Sequence, residues 1–217
     1  MKKSKLYESR FGFRERNSTF AWLCGLFIFC VVFFGSILYV ATTHMGIVVE
    51  GSSMKRTLLH GDKLFAKSTV EREADYGDII IVSVQKYEEC KSVKGGFIIK
   101  RLIAKEGDKV KCNDGNLYIW YAGGTGWEYV KEEYAYYGVN DANKANYDFE
   151  EYEVGKGEVF FLGDNRSSLK SSLDSRYKEG ASHLKQLYKK TDIIGVVSEW
   201  SLNNKWIGEL LLIEAEK

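Results

Sequence analysis

Between Asn17 and Val49 the chain carries no Asp, Glu, Lys or Arg, and its densest part, Phe20 to Ala41, reads FAWLCGLFIFCVVFFGSILYVA. That run is long enough to cross a bilayer as one helix. A buried core helix rarely stays apolar on every face for so long. A cleaved secretory signal normally has a shorter apolar core ending in small residues, and Tyr39-Val40-Ala41-Thr42-Thr43-His44 shows no such ending. The segment before it holds Lys2, Lys3, Lys5, Arg10, Arg14 and Arg16 against only Glu8 and Glu15. Basic flanks stay in the cytoplasm. The expected organisation is therefore a cytoplasmic basic tail at 1–19, a transmembrane signal anchor at 20–45 and an extracytoplasmic domain at 46–217.

Composition narrows what that domain can be. With 31 basic and 30 acidic side chains in 217 residues, no charge excess favours nucleic acid. Aromatics at 14% and a formal charge of +1 exclude a disordered chain. Proline is absent, so turns fall to Gly, Asn, Asp and Ser. Cys24 and Cys30 lie in the membrane segment as apolar fillers, while Cys90 and Cys112 fall in the exported part, where oxidation is permitted. Spacing leaves both a Cys90–Cys112 disulfide and two free thiols open. No CxxC or HExxH occurs, and neither a metal nor an organic cofactor is expected.

After the anchor come short runs rich in Ile, Val, Phe and Tyr. They predict strands at Gly46–Val49, Lys63–Ala66, Asp78–Val84, Gly96–Ala104, Lys109–Cys112, Asn116–Tyr121, Glu158–Leu162 and Ile193–Trp200. Gly-Asp pairs at 61–62, 77–78, 107–108 and 163–164 read as turns. Helical periodicity is confined to a short stretch around Ser182–Lys190, and Trp120–Gly157 is the least regular part. The fold class is mainly β: one transmembrane helix followed by a β-rich domain.

No G-x-S-x-G elbow is present, and His44, His60 and His183 form no triad pattern, so a serine activated here would use another base. Lys100 stands in an otherwise apolar strand, and alternation turns it inward if Ile98 is inward. An inward lysine is expensive unless its pKa falls.

The ordered set G-x-S-M-x-x-T-L from Gly51, G-D-I-I-I-V from Gly77, I-K-R-L-x-x-x-x-G-D from Ile99, and G-D-N-R followed by S-x-D-S-R from Gly163 resembles the type I signal peptidases, family S26. The small size and single anchor resemble the Gram-positive members. The resemblance implies a membrane-bound serine endopeptidase that cleaves signal peptides from exported preproteins. Its nucleophile would be Ser53 and its general base Lys100. Ser172 would orient the lysine, with Ser171 or Ser168 as alternatives, while Asp174, Arg176 and Arg101 would brace the site by charge. Gly163, Asp164 and Asn165 would shape it, Met54 would wall the groove, and the Ser53 N–H with a donor near Gly51 or Ser52 would hold the oxyanion. Arg56 and Glu106 stand where the family usually has Pro, and the stretch from Arg166 to Asp174 is longer than usual. Implied partners are preproteins with signal peptides, membrane lipid and the secretion machinery. A substrate range restricted to pilins or other selected proteins, and a non-catalytic accessory role in surface-protein assembly, are the alternatives.

Overall fold

The computed structural model describes residues 3–69, 73–87, 90, 93–138, 148–167, 173–175 and 188–212, with side chains from Ser18 onward. Ser168, Ser171, Ser172, Arg176 and His183 lie outside the described residues. The chain divides into two units, 1–43 and 44–217. The first is a single helix, α1 (Lys3–Thr43), whose stretch Ser18–Thr43 is long and apolar enough to cross a membrane. It ends earlier than expected: His44 and Met45, read as membrane segment, open the first strand.

The second unit is built from two antiparallel sheets. The strands are β1 (His44–Val48), β2 (Lys63–Ser68), β3 (Ile79–Ser83), β4 (Phe97–Lys105), β5 (Lys109–Asn113), β6 (Asn116–Trp120), β7 (Glu128–Val130), β8 (Phe149–Glu153), β9 (Glu158–Leu162), β10 (Tyr188–Lys189) and β11 (Ile193–Val197). Seven form one sheet in the order β1-β2-β11-β3-β4-β9-β10, and the other four pair as β7-β6-β5-β8. Mainly β architecture thus follows one apolar helix, as the residue pattern indicates.

Alternation along each strand distributes the core. On β3, Ile80 and Val82 enter one cluster with Ile98, Leu102, Val159, Phe161 and Val196. Ile79 and Ile81 point the other way and meet Val49, Met54, Leu58, Leu64, Ala66 and Val197. A strand buried on both faces reads as an unbroken apolar run, which is what Ile79–Val82 shows. A register shift between Leu102 and Ala104 lets β4 also feed a third cluster, where Ile103 and Ala104 join Phe160, Leu162 and residues of the smaller sheet.

Three expectations are corrected, and a fourth point that spacing left open is decided. The last predicted strand stops at Val197, and Glu199–Asn203 and Lys205–Leu211 are helices α2 and α3. The described end of the predicted helix at 182–190 is instead strand β10 followed by a 3-10 turn. β7 and β8 arise in the stretch read as irregular. Cys90 and Cys112 are buried thiols in separate core clusters and are not joined to each other, Cys90 Sγ lying 3.7 Å from the Tyr188 hydroxyl. Burial, and then the neighbouring Asp148, pushes the Cys112 thiol up to about 12.

Candidate active site

Lys100 sits near the middle of β4, hydrogen-bonded between β3 and β9 and opposite Ile80 in register. Ile98, Lys100 and Leu102 are all buried, so alternation does turn the lysine inward, and it is only 3% exposed. Ser53 lies in the turn between β1 and β2 and is half-buried. The two line the same cleft of about 770 Å³, with Gly51 and Ser52. Its other walls are apolar for the most part, including Ile47, Val48, Ile81, Ile99, Phe97 and Leu173.

The Ser53 turn is not held by strand pairing. Thr57 and Leu58 N–H groups donate to the Met54 carbonyl at 3.1 and 2.8 Å, closing one helical turn. Met54, expected on the groove wall, is buried beneath the turn with Leu58 and Val49 instead of lining the cleft. Its side chain anchors the loop as a staple into the core. Gly51 has φ of +86°, a conformation that residues with a Cβ rarely adopt. Its N–H donates to His60 Nδ1 at 3.2 Å, so this surface histidine ties down the residue two positions before Ser53.

Arg56 also has a positive φ, +83°. A proline ring, fixed near −65°, could not follow that path. The turn therefore departs in backbone conformation at the position where the family usually has Pro. Its side chain, like that of Lys55, lies over the Tyr136 ring, at 5.0 and 5.1 Å respectively.

Gly163, Asp164 and Asn165 grip this turn from behind and do not line the cleft. Asn165 donates twice, from its N–H to the Ser53 carbonyl and from Nδ2 to the Ser52 carbonyl, each at 2.9 Å. Asp164, fully buried, accepts from Thr57 Oγ1 at 2.5 Å and from Arg101 Nε and Nη2 at 2.8 and 2.6 Å. Arg101 also donates to the Gly77 carbonyl at 2.7 Å and stacks on Tyr134 at 3.9 Å. Burial works against its charge, but the hydrogen bonds and charge of Asp164 outweigh that and hold the guanidinium's pKa above its ordinary value. Asp174 is buried, and the Gly163 N–H approaches its Oδ2 at 3.5 Å. Next to it, Ser175 Oγ and N–H exchange hydrogen bonds with the Phe161 backbone at 3.0 Å, which docks this segment on β9.

A further layer escaped the sequence. Arg166 is buried, donates from Nε to the Gly163 carbonyl at 2.9 Å, and pairs in two-pronged fashion with the buried Glu132. Tyr136 forms an isolated parallel bridge with Asn165, its N–H donating to the Asp164 carbonyl at 2.7 Å. From the C-terminal side, Lys205 of α3 donates to the Thr57 carbonyl at 2.9 Å and to Asp62 at 2.5 Å. Arg166 closes the G-D-N-R motif, the density of Tyr and Glu in 120–157 is the sequence signal for its partners, and nothing marks Lys205.

Residues 19–200 match the family described as signal peptidase, peptidase S26. Signal peptidase I P of Bacillus subtilis subsp. natto is 29% identical over 189 residues, covering 84% of this chain and 89% of that protein. Signal peptidase I of Bacillus licheniformis is 32% identical over 168 residues, covering 75% and 80%. A crystal structure of a signal peptidase I from Enterococcus faecalis aligns with a TM-score of 0.39 at 26% identity, over 58% of this chain and 98% of that one. With the family pattern running from the apolar helix to α2, the chain belongs to the type I signal peptidases, peptidase family S26, and is a serine endopeptidase with an N-terminal helix suited to membrane anchoring.

Proposed function

We propose that Ser53 attacks the peptide bond that follows the signal sequence of exported preproteins, with Lys100 as its general base. The observation that carries this reading is the burial of Lys100, at 3% exposure, in the cleft that Ser53 also lines. A lysine amine in water, with a pKa near 10.4, is protonated at neutral pH and cannot accept a proton. Removal from water favours the neutral amine. It then takes the Ser53 proton as Oγ adds to the scissile carbonyl, and returns it to the leaving amine when the acyl-enzyme forms. Water hydrolyses that ester by the same route. The Ser53 N–H is one candidate oxyanion donor. Gly51 has no side chain to give, and its N–H is turned to His60, so Ser52 is the remaining candidate for the second donor. Ser172 and Arg176 keep their proposed roles from the motif alone, orienting the lysine and bracing the site.

The tail 1–19 would stay in the cytoplasm, 20–45 would hold the protein in the bilayer, and 46–217 would act outside. An anchored protease shares the membrane with its anchored substrate, which raises their effective concentration. An extended peptide suits a cleft bordered by β1 and β4, both of which carry backbone groups able to pair with it. General preproteins are the substrates supported by the relatives. A restricted, pilin-type range draws support from the altered Arg56 turn and from the longer stretch between Arg166 and Asp174.

The test is cleavage of a preprotein in detergent by the full-length protein. Ser53→Ala and Lys100→Arg should each fall below about a thousandth of the wild-type rate, while wild-type activity rises with pH as the amine loses its proton. Lys100→Arg keeps charge and length but cannot deprotonate. Near-normal cleavage by either variant would mean that another residue carries that step, and absence of cleavage by wild type would leave the accessory role as the better reading. For topology, protease added to wall-stripped cells should digest the domain and spare the tail; protection of the domain would reverse the orientation.

A further inference from the structure

The cleft carries one feature that the peptidase chemistry does not use. Glu50 stands at the end of one wall, just after β1, and Lys94 stands on the other, in the turn that leads into β4; both line the cleft. Lys94 Nζ reaches Glu50 Oε1 at 3.0 Å, so an ion pair bridges the rim. Both side chains are otherwise open to solvent, at 85% and 51% exposure. Apart from this pair, Lys100 is the only charged residue among the described residues that line the cleft.

The two walls hold their ends of the pair differently. Lys94 rides on a turn fixed by two glycines with positive φ, Gly95 and Gly96. The Gly96 carbonyl accepts from the Val84 N–H at 2.8 Å, and a Cβ on Gly96 would fall 2.2 Å from Gln85 Cγ. This turn is pressed onto the end of β3 with no room for a side chain. Glu50 follows Val49, whose N–H and carbonyl pair with Asp62 and Gly61 at 2.9 Å. Both backbones are therefore set, and only long side chains span the gap.

The geometry points to the Glu50–Lys94 pair as a charge clasp over the substrate cleft that lets charged side chains of either sign enter close to the scissile bond. Ser53 follows Glu50 by three positions, so their Cα atoms lie within about 11 Å. A peptide extended in the cleft rises about 3.3 Å per residue. The clasp therefore meets substrate positions within roughly three residues of the cleaved bond. An exposed ion pair contributes little stability, so a substrate displaces it at small cost. A basic side chain entering there exchanges Lys94 for itself on Glu50, an acidic one exchanges Glu50 on Lys94, and a neutral one passes beneath an intact clasp. Wild type is accordingly tolerant of either sign, and the tolerance depends on both partners.

This inference rests on the cleft being the peptide site. The experiment uses full-length protein in detergent micelles and a set of signal-peptide substrates with Ala, Lys or Glu at each of three positions on both sides of the cleaved bond. The readout is the ratio of kcat/KM for the Lys peptide over the Glu peptide, taken within each variant so that any general loss cancels. Glu50→Lys should lower that ratio about threefold to tenfold at low salt at one position, and Lys94→Glu should raise it by as much at the same position. The double swap should return it towards the wild-type value, and 0.5 M salt should flatten all three. Glu50→Gln and Lys94→Met, which remove one charge each, should give about half the effect on a logarithmic scale. Ratios unchanged in both charge reversals at every position would overturn the clasp while leaving the peptidase reading intact. Failure of wild type to cleave even the Ala peptide would overturn that reading first.

Discussion

The two walls of the cleft are built in opposite ways. Lys100 is carried by a strand that pairs with β3 at Lys100 itself and with β9 from Arg101 onward, so backbone pairing fixes its position. Ser53 is carried by a turn whose place depends on side chains reaching from far along the chain: Asp164 on Thr57, Asn165 on the Ser52 carbonyl, Lys205 on the Thr57 carbonyl. A ladder spreads its load over many bonds of about 1 kcal/mol each, whereas a braced turn concentrates it on a few buried polar groups. The difference implies that the base wall tolerates substitution and the nucleophile wall does not.

The largest effect should come from the outermost brace. Glu132→Gln leaves the Arg166 guanidinium buried without its countercharge. Burial already opposes that charge, and it is Glu132 that holds the group's pKa above the ordinary value. Breaking a buried pair from one side costs about 3–5 kcal/mol. Thermal unfolding should fall by roughly 6–20 °C. A loss under 2 °C would show that Arg166 does not hold the Gly163–Asn165 turn.

Asp164→Asn comes next. Its carboxylate serves Arg101 and Thr57 together, so the change weakens a charge-assisted pair and a hydroxyl bond at once. About 2–3 kcal/mol of stability should go, with a fall in kcat larger than any change in KM. Circular-dichroism melts and kinetics on one preparation would check this. Unchanged kcat at reduced stability would separate the brace from the chemistry.

Asn165→Ala keeps the backbone bond to the Ser53 carbonyl and removes the Nδ2 bond to Ser52, together with the two that the Ser167 N–H and Oγ donate to Asn165 Oδ1. The expected cost in stability is about 1–2 kcal/mol. Displacement of a nucleophile by a fraction of an ångström is costly to rate, so kcat/KM should drop roughly tenfold to a hundredfold. Wild-type kcat/KM would mean that the turn keeps its place without this bond.

The same contrast explains what could be read from residues alone. The base wall was legible because a strand announces itself locally: Phe97–Ala104 is a continuous apolar run broken by Lys100 and Arg101, and burial follows from alternation. The single apolar helix before the β-rich unit was legible too, whereas Ser53 beside Lys100 in one cleft was implied only by the family resemblance. Illegible were the braces. Thr57 and Asp164 are 107 positions apart, and Asn165 and Ser52 are 113 apart; no local period connects them. Arg101 was expected to brace the site, but its partner Asp164 was read as a turn residue. Met54 was placed on the groove wall, whereas an exposed turn needs an apolar anchor and Met54 supplies it. The helices α2 and α3 were missed because Val196–Trp200 continues in the residue types of a strand. The change of direction shows only in the packing of Gly208, where a Cβ would fall 1.9 Å from the Lys63 carbonyl.

The smallest effect belongs to the wall that the ladder holds. Ile80 is fully buried and stands opposite Lys100 in register, so Ile80→Val removes one methyl group from beside the base without touching a hydrogen bond. Deleting a single buried methylene costs about 0.5–1.5 kcal/mol. The ladder with β3 at Lys100 and with β9 from Arg101 onward keeps the Lys100 backbone in place, and kcat/KM should stay within about twofold of wild type. Asn165→Ala costs a similar amount of stability by the same measure, so the two variants form a matched pair. Equal stability loss with unequal rate loss is the expected result, read from melts and preprotein cleavage side by side. If Ile80→Val lowers kcat/KM as much as Asn165→Ala, the position of Lys100 depends on tight packing and not on its ladder, and the two walls are alike after all.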